Sequence, residues 1–131
     1  MAEKLSFGED AVINRPPFLC GLNYQFWKVG MKIFVESIDR GIWDAIVNGP
    51  FIPMFEKDDV FIEKLLSQWT EIESKRAQFD FIARNIITFA LNSDEFFRVS
   101  QCASTKEIWD TLEVTHKGTT DIKRARKHAL I

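Results

Sequence analysis

The chain has 131 residues, 46% of them hydrophobic, a length and composition that fit one domain with a single buried core. Its formal net charge of -2 excludes a generally basic nucleic-acid-binding protein, while leaving a local basic patch open. No apolar run approaches the roughly 18 residues of a membrane-spanning helix, and the N-terminus lacks the continuous apolar stretch of a signal peptide. We therefore expect a cytoplasmic protein with no membrane partner, and the nucleus is the alternative compartment.

The residues that usually carry chemistry are sparse. Cys20 and Cys102 are the only cysteines, and in an intracellular chain they are expected to be reduced, buried and apolar in behaviour. Together with His116 and His128 they would supply four zinc ligands, but no two of them have the spacing of a ligand pair. We therefore expect neither a metal nor a cofactor.

Catalytic motifs are also missing from the sequence. Neither histidine stands in the context of a nucleophile such as G-x-S-x-G, and the six glycines are scattered singly, so none forms a phosphate-binding loop. The acids Glu56, Asp58 and Asp59 lack the glycine and final glutamate of a calcium loop and indicate a solvated turn. The sequence therefore predicts a protein that is not an enzyme.

The first 17 residues are predicted to form an extended arm, because Pro16 and Pro17 disfavour a helix there. In the stretch FLCGLNYQFW, residues 18–27, Asn23 is the predicted N-cap of a helix that carries a buried apolar stripe. The stripe consists of Trp27, Met31, Phe34, Val35 and Ile38. A second short helix is predicted from an Asp39 cap, with Trp43, Ile46 and Val47 facing inward.

Residues 50–66 are the least regular segment, mixing prolines and acids with Phe51, Phe55 and Phe61. Two readings stay open for these three rings. They form a solvent-facing contact patch, or they fold back and cover the core beneath the loop. Hydrophobic rings outside any helical stripe are compatible with either.

A capping box of Thr70 and Glu73 predicts the start of a long helix that continues to about Leu91. This helix is apolar almost all round and is therefore predicted to be the central one. Its assigned buried face consists of Ile72, Phe79, Ile82, Ala83, Ile86, Phe89 and Ala90, with Phe81, Ile87 and Leu91 outside the stripe.

The last third of the chain predicts three more helices. Asn92 to Asp94 begin a short one, and a second capping box, Ser104 with Glu107, begins another that buries Ile108, Trp109 and Leu112 and ends at Gly118. Residues 120–131 then form a terminal helix with a narrow apolar stripe and a basic flank. The stripe is Ile122, Ala125, Ala129 and Leu130, and the flank is Lys123, Arg124, Arg126 and Lys127.

With no competing strand pattern, the fold class predicted is all-α, a compact bundle of about five to six helices that forms one domain over residues 18–131. The predicted structural core is Trp27, Met31, Phe34, Trp43, Ile82, Ile86, Phe89, Trp109 and Leu112.

An ordered series of residues resembles the Gag polypeptide of plant Copia-type LTR retrotransposons over roughly residues 17–131. It comprises Gly21, Asn23, Tyr24, Trp27 and Met31, then Trp43 and Gly49, then Thr105, Glu107, Trp109, Asp110 and Leu112. The resemblance implies a capsid-like helical domain, related to the N-terminal half of retroviral capsid proteins, that acts by protein association. Two features depart from the family: His116 stands where an aromatic residue is frequent, and the zinc knuckle C-x-x-C-x4-H-x4-C is missing.

Three functions follow as hypotheses. The favoured one is a capsid-type module, either a fragment or a short host gene product, that associates with itself or with related Gag chains. The second is a domesticated Gag remnant that binds a heterologous host or pathogen protein as an adaptor or inhibitor. The third is nucleic-acid binding through the basic terminal helix. The candidate interface residues are Phe51, Phe55, Phe61, Ile122, Lys123, Arg124, Arg126 and Lys127.

Overall fold

The computed structural model describes the backbone of residues 15–129 and the side chains of residues 15–117. Five α-helices dominate it: α1 Tyr24–Ile38, α2 Arg40–Asn48, α3 Glu71–Thr88, α4 Ser93–Val99 and α5 Thr105–Ala129. Between α2 and α3 lie two strands, β1 Met54–Lys57 and β2 Val60–Glu63, followed by one 3-10 turn, Leu66–Gln68. The predicted helical fold is thus confirmed only broadly, because the segment expected to be an irregular loop contains an antiparallel hairpin.

The helix starts follow local signals in the sequence. Thr70 Oγ1 accepts from the Glu73 amide over 3.1 Å, and Glu73 Oε1 accepts from the Thr70 amide over 3.0 Å, which confirms the predicted capping box. Side-chain oxygens also cap three more of the predicted starts: Asp39 for α2, Asn92 for α4 and Ser104 for α5. Each cap satisfies a backbone N–H that the first helical turn leaves without a partner.

Asn23 is the exception among the predicted caps. Its side chain accepts from the Cys20 amide over 3.0 Å and donates to the Phe18 carbonyl over 2.9 Å, so it closes the turn before α1 instead of capping the helix. Beside this turn Leu19 is fully buried, and its amide donates to the Ala90 carbonyl over 2.7 Å. Cys20 is exposed, contrary to the expectation that both cysteines are buried.

Trp27 lies at the middle of the core. Its ring is fully buried, with its centroid 5.5 Å from that of Trp109, and its Nε1–H donates to the Pro17 carbonyl over 2.9 Å. Trp43 meets Trp109 edge to face with a centroid separation of 5.4 Å. Of the other predicted core residues, Met31 and Leu112 are buried, while Phe34 and Ile86 are half-buried against the same cluster.

Two predicted core positions are wrong. Ile82 is 39% exposed and Phe89 is 81% exposed, because the face of α3 that packs inward is centred on Ala83 and Ile87 instead. Phe89 comes two residues after Ile87 and still bonds the Asn85 carbonyl as in a helix, so it lies on the side of α3 opposite the buried face. Three further residues assigned to buried faces are exposed as well: Ile38, Val47 and Ile72.

The central element is the short helix α2, which packs against α1, α3 and α5. The long helix α3 was expected in this place because of its apolar content, but it leaves large side chains such as Phe81 in solvent. Its inward face includes Asp80, which is buried because Oδ1 accepts from the Thr105 amide and the Asp80 carbonyl accepts from the Thr105 hydroxyl.

Helix α5 runs through Gly118 without a break, so the predicted separation into two helices at that residue is wrong. One glycine weakens a helix by about 1 kcal/mol relative to alanine, which is too little to end one. The proposed basic flank and its apolar neighbour, Ile122, Lys123, Arg124, Arg126 and Lys127, have side chains that lie outside the described residues.

Candidate association surfaces

Helix α1 is apolar on two faces. One face carries Trp27, Met31 and Val35 into the core. The other face presents a row of four exposed apolar side chains. The row starts in the turn before the helix, and its members are separated by four, three and four residues. This α1 row consists of Leu22 (71%), Phe26 (74%), Val29 (56%) and Ile33 (63%). Alternating spacings of three and four place side chains along one narrow seam, the pattern with which a helix packs against another protein segment.

A groove of about 360 Å³ lies beside the α1 row, between α1, α2 and α5. Val29 and Ile33 belong to both surfaces, and the aromatic part is formed by Trp43 and Trp109. We call it the tryptophan groove; its lining is Lys28, Val29, Lys32, Ile33, Glu36, Trp43 and Trp109. This volume is at the lower end of the range in which protein clefts bind ligands, roughly 300–1,000 Å³.

Each lysine of the groove lies beside an aromatic ring, and the ring beside Lys32 is one that lines the groove. Lys32 Nζ lies 5.8 Å from the centroid of the Trp43 ring, and Lys28 Nζ lies 5.9 Å from that of Tyr24. Lys28 Nζ is also 3.6 Å from a carboxylate oxygen of Glu113, with both side chains substantially exposed. Surface ion pairs of this kind stabilise weakly, so Lys28 can exchange Glu113 for another carboxylate at little cost.

The hairpin presents a second exposed surface, since all eight strand residues are exposed. The register pairs Met54 with Glu63, Phe55 with Ile62, Glu56 with Phe61 and Lys57 with Val60. Because directly paired residues share a face and successive residues alternate, the two faces differ in charge. The acidic face carries Met54, Glu56, Phe61 and Glu63, and the opposite face carries Phe55, Lys57, Val60 and Ile62.

The base of the hairpin is fixed to the helices. Pro53 is fully buried, and its carbonyl accepts from the Lys64 amide over 3.0 Å. Lys64 Nζ then binds the Glu73 carboxylate at 2.9 and 3.0 Å and lies 4.9 Å from the centroid of Phe55. A two-stranded hairpin is marginal by itself in water, and this anchoring stabilises its base while its strands stay open to a partner.

The three phenylalanines proposed as one contact patch therefore separate. Phe61 is 62% exposed on the acidic face, and Phe55 is 45% exposed on the opposite face under Lys64. Phe51 is half-buried, with the Arg76 guanidinium 4.0 Å from its ring centroid. Both readings of the loop are thus partly right: Phe61 faces solvent, whereas Phe51 covers the helices.

A buried polar cluster joins α1, α4 and α5. The rings of Tyr24 and His116 stack with centroids 4.7 Å apart, and His116 Nε2 lies 2.8 Å from Glu95 Oε2. Arg98 NH1 approaches the other Glu95 oxygen to 3.4 Å. Burial, with help from the charges of Glu113 and Asp110, raises the pKa of the Tyr24 phenol well above its ordinary range. Tyr24, Glu95 and His116 are buried, so these three groups connect the helices inside the domain, while Arg98 reaches Glu95 from the exposed side of α4.

Sequence reasoning did not assign the α1 row or the tryptophan groove to an interface. The signal was present, because Phe26, Val29 and Ile33 repeat on the face of α1 opposite the core stripe.

Within the described part of the chain, no three His, Cys, Asp or Glu side chains converge as metal ligands. Nor does any described helix combine the length and apolar character needed to cross a membrane.

The chain matches no protein-family model, no curated protein and no solved structure.

Proposed function

We propose that this chain is a non-enzymatic, capsid-like association module of the Gag type, which binds further copies of itself or related Gag chains. The observation that carries the proposal is the α1 row. Leu22 just before α1 and three large apolar side chains along α1 follow one another on one side, while the other face of the helix is filled by the core. Contiguous exposed apolar surface of this kind marks interaction sites more often than isolated exposed residues do.

The rigidity of α1 supports the same function. Tyr24, Trp27, Met31 and Val35 are all buried, so the helix is fixed to the domain along its length. A surface that is already ordered loses little conformational entropy on binding, and more of the interaction energy then appears as affinity. The adjoining tryptophan groove widens the surface beyond a single row of side chains.

The test is light scattering coupled to size exclusion, with the full chain run over a range of protein concentrations and salt. We expect oligomers that grow with concentration. The double variant Phe26→Ser with Ile33→Ser should shift the protein to monomer without lowering its melting temperature, because both side chains are exposed. The matched control is Phe97→Ser with Val114→Ser, two residues of 71% and 74% exposure on α4 and α5.

Each outcome has a meaning. A wild-type chain that stays monomeric throughout rejects self-association and favours the heterologous adaptor or inhibitor. Oligomers that disappear with added salt and contain co-purified nucleic acid favour the basic terminal helix. Oligomers that the Phe97 and Val114 control disrupts as strongly as the α1 variant place the interface elsewhere.

A further inference from the structure

We propose that the acidic face of the hairpin of one copy docks in the tryptophan groove of a second copy, with Phe61 as the anchoring side chain. This inference rests on the proposed function and names the surface that covers the groove. Both partners are described above: a groove with lysines at its rim, and an exposed hairpin face on which acids flank one aromatic ring.

The charges of the two surfaces are complementary. Lys28 and Lys32 stand one helical turn apart along the groove, where side chains four residues apart are about 5–6 Å from each other. On the hairpin Glu56 is paired directly with Phe61, and Glu63 lies on the same face two residues beyond it. Diagonal neighbours across two strands are about 7–8 Å apart. The two carboxylates are therefore opposite in charge to the two ammonium groups, and each pair stands within about 8 Å at the level of the backbone.

The other charges beside the groove are acidic. Glu36 follows Lys32 by one further turn of α1 and lines the groove. Glu113 lies 3.6 Å from Lys28 Nζ, so docking requires the hairpin carboxylates to replace Glu113 as the partner of Lys28. On the hairpin, Lys57 is on the face opposite Phe61 and so does not meet the groove lysines. Choosing the acidic face over the other thus replaces a like-charge contact with an attractive one.

The apolar parts also complement each other. The Phe61 ring has no polar atom and is 62% exposed in the single chain. In the groove it would meet Trp43 and Trp109, which already pack edge to face at 5.4 Å. Aromatic rings stabilise one another in edge-to-face or offset arrangements, and buried aromatic anchors carry much of the energy of protein interfaces.

A pairing of α1 with α1 fits the charges less well. In an antiparallel two-fold pair the same flank of each helix faces its counterpart, so the flank that bears Lys28 and Lys32 would meet the same two lysines of the second copy. The hairpin instead brings carboxylates to that flank. A contact between two different surfaces is heterologous, and it repeats from copy to copy into a ring or an open chain.

The first experiment compares two exposed rings on one hairpin. Phe61→Ala should weaken self-association by about tenfold or more, as expected for an aromatic anchor at an interface. Phe55→Ala, on the opposite face, should leave it within about twofold. Both proteins are checked for an unchanged circular dichroism spectrum and melting temperature. Equal effects of the two substitutions, or no effect of Phe61→Ala, would overturn the proposed docking.

The second experiment mixes two defective chains. The variant Lys28→Glu with Lys32→Glu reverses the charge of the groove, so that the groove cannot bind, and leaves the hairpin intact. The variant Phe61→Ala removes the anchoring ring from the hairpin and leaves the groove intact. Each variant alone should be monomeric where the wild type assembles. Mixed one to one, they retain one intact groove and one intact hairpin, so light scattering should show a dimer that grows no further.

These outcomes separate the inference from the proposed function. If the wild type assembles and the groove variant assembles equally well, self-association stands and hairpin docking is rejected. If the two variants fail to form a dimer on mixing, the contact is not between these two surfaces. A wild type that is monomeric at every concentration rejects both.

Discussion

Phe79 of α3 packs against Gly41 of α2 in the space that the Cβ atom of any other residue would occupy. The contact lies where α2, the central helix, meets α3. Glycine is needed at position 41 for close approach alone, because its backbone is that of an ordinary helix. The fit of these two residues therefore sets the distance between α2 and α3.

Replacing Gly41 by alanine tests this packing. Alanine is the better helix former by about 1 kcal/mol, but its methyl group would overlap the Phe79 ring, and overpacking typically costs about 1–3 kcal/mol. We expect Gly41→Ala to lower the free energy of unfolding in urea, and Gly41→Ala with Phe79→Leu to recover part of the loss. A more stable Gly41→Ala protein would show that the ring moves aside freely.

The buried pair of Glu95 and His116 gives a second prediction. His116→Phe keeps a ring to stack on Tyr24 but leaves the Glu95 carboxylate, only 5% exposed, without its imidazole partner. Removing one member of a buried pair costs about 3–5 kcal/mol, whereas replacing both by apolar residues is often neutral. We expect His116→Phe to be strongly destabilising and Glu95→Leu with His116→Phe to regain most of the loss, measured by urea unfolding. If the stability changes of the single substitutions at Glu95 and His116 simply add up in the double variant, the two residues are not a coupled pair.

The hairpin turn offers a stabilising substitution. Asp58 and Asp59 both have positive φ, 53° and 65°, the left-handed conformation of a type I′ turn in which glycine is favoured at the second position. Asp59→Gly should stabilise the hairpin locally by about 0.5–1 kcal/mol, seen as slower hydrogen exchange in residues 54–63. Asp59→Ala, which keeps a Cβ atom without the carboxylate, should exchange faster. Identical rates in the two variants would argue against this turn.

Acid sensitivity follows from the capping box of α3. The Thr70 amide, and next the Lys64 ammonium, hydrogen-bond the Glu73 carboxylate and lower its pKa below the ordinary value of 4.5. The carboxylate therefore stabilises the fold fully above the unfolded-state pKa, and this contribution is lost as the pH falls through the lower folded-state pKa. Below pH 4.5 we expect Glu73→Gln to lose less stability per pH unit than the wild type, by urea titration.

Local signals in the sequence located the helices well. Thr70 with Glu73, Asp39 and Asn92 all cap helices as predicted, because a cap depends only on residues within one turn. The hairpin was missed because its residues lack the local signals that usually indicate one. Its turn is Asp58-Asp59, without the glycine that marks most type I′ turns, and its strands do not alternate cleanly between polar and apolar residues.

The choice of buried face in α3 depended on information that hydrophobicity alone does not hold. Large residues, Ile82 and Phe89, were favoured, whereas the face that packs inward combines Ala77, Ala83 and Ile87 with Asp80. Alanine gives a weak hydrophobic signal even where it is buried, and Asp80 is tolerated because Thr105, far along the chain, satisfies it. The α1 row and the tryptophan groove were missed similarly, since a groove exists only once α1, α2 and α5 have been brought together.

The meeting of Trp27 with Trp109 also determines when the chain can fold during synthesis. A ribosome completes α1 long before α5, so the core face of α1 leaves the exit tunnel before the ring that covers it has been made. The Leu19 amide likewise has no partner until the Ala90 carbonyl has been synthesised. Until then the nascent helix exposes its core stripe together with the α1 row, which is the condition under which unfinished chains aggregate or recruit chaperones. Closure of this core is therefore one of the last events in the synthesis of the domain.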